Sequence, residues 1–214
     1  MPPIVFIVGK SDSGKTTIVE RLIVEFKRRG YRVASIKHEA YGFDIDKPGK
    51  DSWRHAQAGS DAVVLSSSQR LALIKNVDHE PGIAELARLI GTDFDIIIVE
   101  GFKQGKGLKI EVHRKELGEL VCDPRELLAL VTDEALELDT PQFHPDDVLA
   151  LAELIEKRLP ASKGETTVFI NGKPVPLGPF PQEFISKTLL GMVSALKGAE
   201  ELQSIDISVT RKLK

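Results

Sequence analysis

An apolar run, Ile4-Val5-Phe6-Ile7-Val8, stops at Gly9, and after a polar stretch Ile18, Val19, Leu22, Ile23 and Phe26 recur at helical spacing. The pattern predicts strand, loop and helix in succession. Lys27-Arg28-Arg29 suits the negative end of that helix, and Gly30 is placed to close it. A second strand is expected at Arg32–Ile36, followed by a polar connection from Lys37 through Lys50. Its fourteen residues are long for a passive link. A short helix at Ser52–Gln57, a strand at Ala62–Leu65 and a further edge strand at Leu71–Ile74 come next.

Ile83–Ile90 repeats the helical pattern, with Asp78 and Glu80 near its start and Gly91 at its end. Phe94-Asp95-Ile96-Ile97-Ile98-Val99 is almost continuously apolar, as expected of a central parallel strand covered on both faces. Strands at Leu108–His113 and Leu127–Val131 and a helix at Pro145–Leu159 complete an alternating series. This is the signature of an α/β domain with a mostly parallel sheet, placed at residues 1–160. Beyond Pro160-Ala161-Ser162-Lys163-Gly164 the pattern changes. A strand at Thr166–Ile170, a turn at Asn171-Gly172, a helix at Pro181–Leu196 and a strand at Ser204–Val209 predict a small β-α-β element over 165–214. Phe184, Ile185, Leu189, Val193 and Leu196 form an apolar stripe on that helix, so docking on the main domain or a second subunit is expected.

The loop after the first strand reads Gly9-Lys10-Ser11-Asp12-Ser13-Gly14-Lys15-Thr16 and fills every position of G-x-x-x-x-G-K-[ST] in strand-to-helix context. Gly9 and Gly14 let successive backbone N–H groups converge on a polyphosphate. Lys10, Ser11, Asp12 and Ser13 contribute N–H groups, while the Asp12 carboxylate must turn away from the anion. Lys15 reaches the outer phosphate oxygens, Thr16 offers a hydroxyl to Mg²⁺, and Thr17 supports the start of the helix.

Glu100 follows the apolar strand at the end of a parallel sheet, where ligands of such sheets bind. It is a candidate to hold Mg²⁺ or its water, or to position an attacking water, with Glu in place of the commoner Asp. Gly101 allows the next loop to approach phosphate closely. In the long polar connection Asp44 and Asp46 are candidate metal ligands, with solvent-facing spacers as the alternative; His38 and Lys50 are candidate substrate contacts. Lys103, Lys106 and Lys109, with Arg114-Lys115 beyond, form either a second anion site or a solvated basic loop. Cys122 reads as a small buried hydrophobe.

Composition narrows the field further. With 214 residues, 42% of them hydrophobic, the chain can bury one sizeable core. A net charge of −3 gives no support to general nucleic-acid binding. One cysteine supplies neither a disulfide nor a thiolate zinc site. No apolar run approaches the roughly 20 residues that cross a bilayer, and the start lacks a basic segment, so a cytoplasmic protein without membrane contact is expected.

Four segments, GKSDSGKTT at 9–17, IKH at 36–38, FDIDKPGKDSWRHAQAG at 43–59 and IIIVEGFK at 96–103, together resemble the molybdopterin-guanine dinucleotide biosynthesis protein B (MobB) family over about 1–158. The resemblance implies a P-loop fold, GTP and Mg²⁺ as ligands, slow hydrolysis, a homodimer, and action beside the partner protein MobA on molybdopterin or its guanine dinucleotide. It implies that Gly9, Gly14, Lys15 and Thr16 form the nucleotide loop, that Glu100 and Gly101 form its second motif, and that the segment around Asp44 to Asp51 is a substrate-facing or switch-like loop. A guanine-reading motif of Asn or Thr, then Lys and Asp, is absent, since Thr132-Asp133 lacks that spacing. Two other functions fit the same loop: a small-molecule kinase and a nucleotide-gated nonenzymatic adapter.

Overall fold

The computed structural model describes residues 1–39, 42–159, 166, 168–170, 173–197, 205, 207 and 209. The chain divides into two compact units, Met1–Ala161 and Ser162–Lys214. In the first, the elements run β1 (Ile4–Val8), α1 (Lys15–Arg28), β2 (Val33–Lys37), α2 (Asp51–Gln57), β3 (Ala62–Ser66) and β4 (Leu71–Lys75). They continue as α3 (Ile83–Ile90), β5 (Ile96–Glu100), β6 (Leu108–Val112), β7 (Ala129–Val131), β8 (Gln142–Phe143) and α4 (Val148–Arg158).

Six strands form one sheet in the order β2-β5-β1-β6-β7-β8, and every neighbouring pair is parallel. The continuous apolar runs follow from helices on both faces. Val5 and Ile7 of β1, with Ile96 and Ile98 of β5, pack against Ile18, Leu22 and Phe26 of α1 and Leu151 and Ile155 of α4. Their neighbours Phe6, Val8, Ile97 and Val99 point the other way, to Ala87, Ile83 and Ile90 of α3. Because β5 lies beside β1 with Ile7 opposite Glu100, the end of β5 is brought to the loop that leaves β1.

Helix α1 ends where the sequence places its stop. Gly30 takes φ +91°, and Tyr31 N–H donates to the Phe26 carbonyl at 3.0 Å while Gly30 N–H donates to that of Lys27 at 3.0 Å. The same end is fixed to α4 by charge: Glu25, 6% exposed, accepts from Arg28 and Arg29, and Arg29 also donates to Glu156 at 2.5 Å.

Three expectations need correction. Leu71–Ile74 is not an edge of the main sheet: β4 pairs antiparallel with β3 alone, in a separate two-stranded sheet. Its apolar alternation specifies a strand but not a partner. Leu127–Val131 begins as strand only at Ala129, because Pro124–Glu126 forms a 3₁₀ turn with Leu127 N–H bonded to the Pro124 carbonyl. The helix expected from Pro145 starts at Val148, after a turn in which Asp147 N–H donates to the His144 carbonyl.

The second unit contains an antiparallel pair, β9 (Val168–Ile170) and β10 (Lys173–Val175), and α5 (Pro179–Val193). The turn expected at Asn171-Gly172 lies outside the described residues. Of the strand expected at Ser204–Val209, only Ile205, Ile207 and Val209 are described, and none is in a strand. Among the described residues no helix is long and apolar enough to cross a membrane.

Candidate nucleotide-binding site

The loop from Gly9 to Gly14 is shaped by backbone constraints that few residues satisfy. Gly9 has φ +144°, and a Cβ there would lie 2.3 Å from the Val112 carbonyl oxygen at the end of β6. Gly14 has φ +94° and opens α1, which has no side-chain cap. The amides of its first turn therefore remain available to an anion, at the positive end of the helix dipole. Asp12 occupies the left-handed region at φ +62°, and its side chain is exposed. Ser13 is fully buried, and its Oγ has no hydrogen-bond partner among the described residues.

Lys15 folds back over this loop, with Nζ donating to the Lys10 carbonyl at 2.5 Å. Burial pushes its pKa below the ordinary lysine value. The charges of Lys103 and Lys37 act in the same direction, against those of Glu100 and Asp12. An anion placed at this ammonium would offset the burial cost.

The Thr16 hydroxyl donates to Glu100 Oε1 at 2.9 Å. Hydroxyl and carboxylate oxygens are hard donors of the kind Mg²⁺ takes, and Mg²⁺ needs few protein ligands because it keeps several waters and binds substrate phosphates. Among the described residues no group of three or more His, Cys, Asp or Glu side chains is gathered to hold a metal. Gly101 and Phe102 follow at φ +96° and +53°, and Gly101 N–H donates to the Ile7 carbonyl at 3.0 Å. A Cβ on Gly101 would stand 3.1 Å from the His38 Cβ. The His38 ring lies against the Phe102 ring at 4.5 Å, tilted by 46°, with Nε2 2.5 Å from Glu80 Oε1. The histidine walls the end of β5 and is held by a carboxylate.

The other candidates are placed as follows. Thr17 is exposed on the first turn of α1. Lys10 directs its ammonium to the Leu117 carbonyl at 2.6 Å, so its side chain ties down the loop after β6. Asp44 is exposed, and no contact joins it to Thr16 or Glu100 among the described residues. Asp46 accepts from Lys47 N–H at 2.8 Å and Ser52 Oγ at 3.0 Å, organising the approach to α2 instead of facing the Thr16–Glu100 pair. Lys109 is not part of a basic loop: it is 6% exposed and lies 3.3 Å from Glu126. Cys122 is half-buried against the α3 side of the core, and burial, followed by the nearby Glu111 charge, pushes its thiol upward.

Two residues matter more than their sequence context suggests. Arg114 donates from Nε to the Ser13 carbonyl at 3.1 Å, and its Nη1 lies 3.6 Å from Asp133 Oδ2. It braces the phosphate loop from the neighbouring strand. Glu111, 1% exposed, accepts from Val121 N–H at 2.7 Å and Cys122 N–H at 3.0 Å. A carboxylate between the apolar Ile110 and Val112 of β6 was the available signal for that role.

The molybdopterin guanine dinucleotide synthesis protein B model matches residues 4–133. The molybdopterin-guanine dinucleotide biosynthesis adapter protein of Haemophilus influenzae is 38% identical over 159 residues, covering 73% of this chain and 89% of that protein. A putative adapter protein of the same biosynthesis from Methanocaldococcus jannaschii is 24% identical over 242 aligned positions, covering 96% of this chain and 97% of its own length. That match reaches into the second unit. The crystal structure of Bacillus subtilis MobB superposes with a TM-score of 0.60 at 28% identity, covering 76% of this chain and 99% of that one. With the phosphate loop, the parallel sheet and the Thr16–Glu100 pair in place, the chain belongs to the molybdopterin-guanine dinucleotide synthesis protein B (MobB) family.

Proposed function

We propose that this protein is a GTP-binding adapter that hydrolyses GTP slowly with Mg²⁺ and assists a MobA partner when a guanine nucleotide is joined to molybdopterin. The observation that carries this reading is the Thr16–Glu100 hydrogen bond at the head of a complete phosphate loop. The adapter role described for the Haemophilus relative supports the pathway assignment.

The chain's own groups divide the work. Amides of residues 10 to 14 and of the first turn of α1 cradle the phosphates, and Lys15 exchanges the Lys10 carbonyl for an outer phosphate oxygen. Thr16 and Glu100 would hold Mg²⁺ and its water, with Glu100 also able to orient the attacking water. The metal ion supplies neutralisation of the charge that develops on the outer phosphates. Lys103 and Lys37, whose charges reach Lys15, add positive potential on the Glu100 side for an anionic second ligand of molybdopterin type.

The homodimer reading is supported by the β3–β4 sheet. Val64, Leu71 and Leu73 are 57%, 73% and 45% exposed on it. Two-stranded sheets are marginal alone, and apolar edges invite pairing with another chain.

Terminally labelled GTP incubated with the protein, Mg²⁺ and molybdopterin tests the chemistry. Release of inorganic phosphate supports the reading, whereas label on an acceptor would make the protein a small-molecule kinase. No turnover, combined with GTP-dependent binding to MobA, would make it a nonenzymatic adapter.

A further inference from the structure

The phosphate loop holds one polar group that the nucleotide cradle does not use. Ser13 is fully buried, and its Oγ has no hydrogen-bond partner among the described residues. Buried hydroxyls are nearly always paired, and leaving one unpaired costs free energy. Gly9 makes the room that this hydroxyl occupies, since a Cβ on Gly9 would stand 2.8 Å from Ser13 Oγ. The carbonyl end of the residue is anchored, accepting from Arg114 Nε at 3.1 Å. A new partner for Ser13 therefore has to be found by its side chain.

Three residues back lies an acceptor whose donors a polyphosphate would claim. The Lys10 carbonyl takes the Lys15 ammonium at 2.5 Å and, more loosely, the Ser13 N–H at 3.4 Å. Lys15 is the group that reaches an outer phosphate oxygen, and the Ser13 amide belongs to the cradle. Once both turn to phosphate, the Lys10 carbonyl has neither. The Lys10 ammonium is no replacement, because it is bonded to the Leu117 carbonyl at 2.6 Å. Serine hydroxyls donate to carbonyls three or four residues back, and a staggered side-chain torsion makes such a move a step between discrete positions.

We infer that Ser13 is a positioning residue for the nucleotide: its hydroxyl takes over the Lys10 carbonyl when Lys15 and the Ser13 amide turn to phosphate. The exchange pairs an orphan donor with an orphan acceptor in one step. It lowers the cost of releasing Lys15 and holds the turn of residues 10–13 in shape while its other donors face the anion. This inference rests on the GTP-binding reading and deepens it, because it gives the loop a side chain that works only when phosphate is bound.

A double-mutant cycle on the full chain tests it, with wild type, Ser13→Ala, Lys15→Ala and the double variant. Calorimetric titration with GTP and Mg²⁺ gives the affinities, and thermal unfolding without nucleotide gives the stabilities. With Lys15 present, Ser13→Ala removes an unpaired hydroxyl, so the thermal midpoint should hold or rise while GTP affinity falls about fivefold. In the Lys15→Ala background the hydroxyl already serves the Lys10 carbonyl with or without nucleotide. There Ser13→Ala should lower the midpoint by about 2–4 °C and change GTP affinity less than about twofold. A purely structural serine would lower the midpoint equally in both backgrounds, and that result would overturn the inference, as would unchanged GTP affinity in Ser13→Ala. Should wild type bind no GTP, the GTP reading itself fails, and the thermal cycle alone decides the exchange: a midpoint loss confined to the Lys15→Ala background upholds it, and equal effects in both refute it.

Discussion

Thr16 and Glu100 are 84 positions apart, yet the Thr16 hydroxyl donates to Glu100 Oε1 at 2.9 Å. Parallel pairing of β1 and β5, with Ile7 opposite Glu100, brings them together, and four core residues of β5 buried on both faces fix that register. The geometry of this pair is thus a consequence of the core. Glu100→Gln keeps the volume and removes the charge. We expect Mg²⁺-dependent GTP turnover to fall about 10- to 100-fold, as for loss of a group that organises a metal site, with the fold retained. Steady-state turnover against Mg²⁺ concentration, with circular dichroism as the folding control, checks this; unchanged metal dependence would remove Glu100 from the mechanism.

Gly9→Ala should damage the loop directly. The new methyl would lie 2.3 Å from the Val112 carbonyl at a φ of +144°. Both β1 and β6 are packed into the core there, so neither can retreat cheaply. A loss of roughly 1–3 kcal/mol is expected from the backbone strain alone. Urea denaturation measures it, and wild-type stability in the variant would contradict the close approach.

Arg114→Ala removes the brace between the Ser13 carbonyl and Asp133. GTP affinity should fall several-fold, on the order of one charged hydrogen bond. Because the guanidinium meets one carbonyl through Nε, lysine should restore the loss only in part. Nucleotide titration of Arg114→Ala and Arg114→Lys decides the matter; equal affinity in all three proteins would show that the brace is idle.

Acid should weaken the contact between α1 and α4. Hydrogen bonds from Arg28, then from Arg29, hold the Glu25 carboxyl at about 2, below its ordinary value of 4.5. A carboxyl with a depressed folded-state pKa binds fewer protons folded than unfolded. Its contribution is therefore complete above about pH 4.5 and disappears as pH falls through about 2. The thermal midpoint of Glu25→Gln should lie below that of wild type near neutral pH, and the gap should close on acidification. A gap independent of pH would point to packing in place of charge.

Local signals were the legible ones. Gly9–Thr16 announces its own backbone, and Ile96–Val99 reads as a doubly covered strand because each side chain of the run is buried on one face or the other. The alternating series also conveyed the α/β class. Pairing choices were less accessible: Ala62–Ser66 and Leu71–Lys75 read correctly as strands, but their alternation does not say that they join each other outside the main sheet. Side-chain partners were least accessible. Asp46 resembles a loop carboxylate free for metal until Ser52 and the Lys47 amide occupy it, and Lys109 resembles a member of a lysine cluster until strand alternation turns it inward toward Glu126. Such contacts depend on residues brought close by the fold or the local turn, which composition does not encode.

The most direct measurement is equilibrium binding of GTP to the full-length protein with Mg²⁺, set against Lys15→Ala. Lys15 supplies the one side-chain ammonium that the loop folds back on itself, toward the Lys10 carbonyl. Saturable binding that weakens about tenfold to a hundredfold in Lys15→Ala, with the variant still folded, is the predicted result. GTP binding of equal strength in the folded Lys15→Ala protein, or none in wild type, would contradict it.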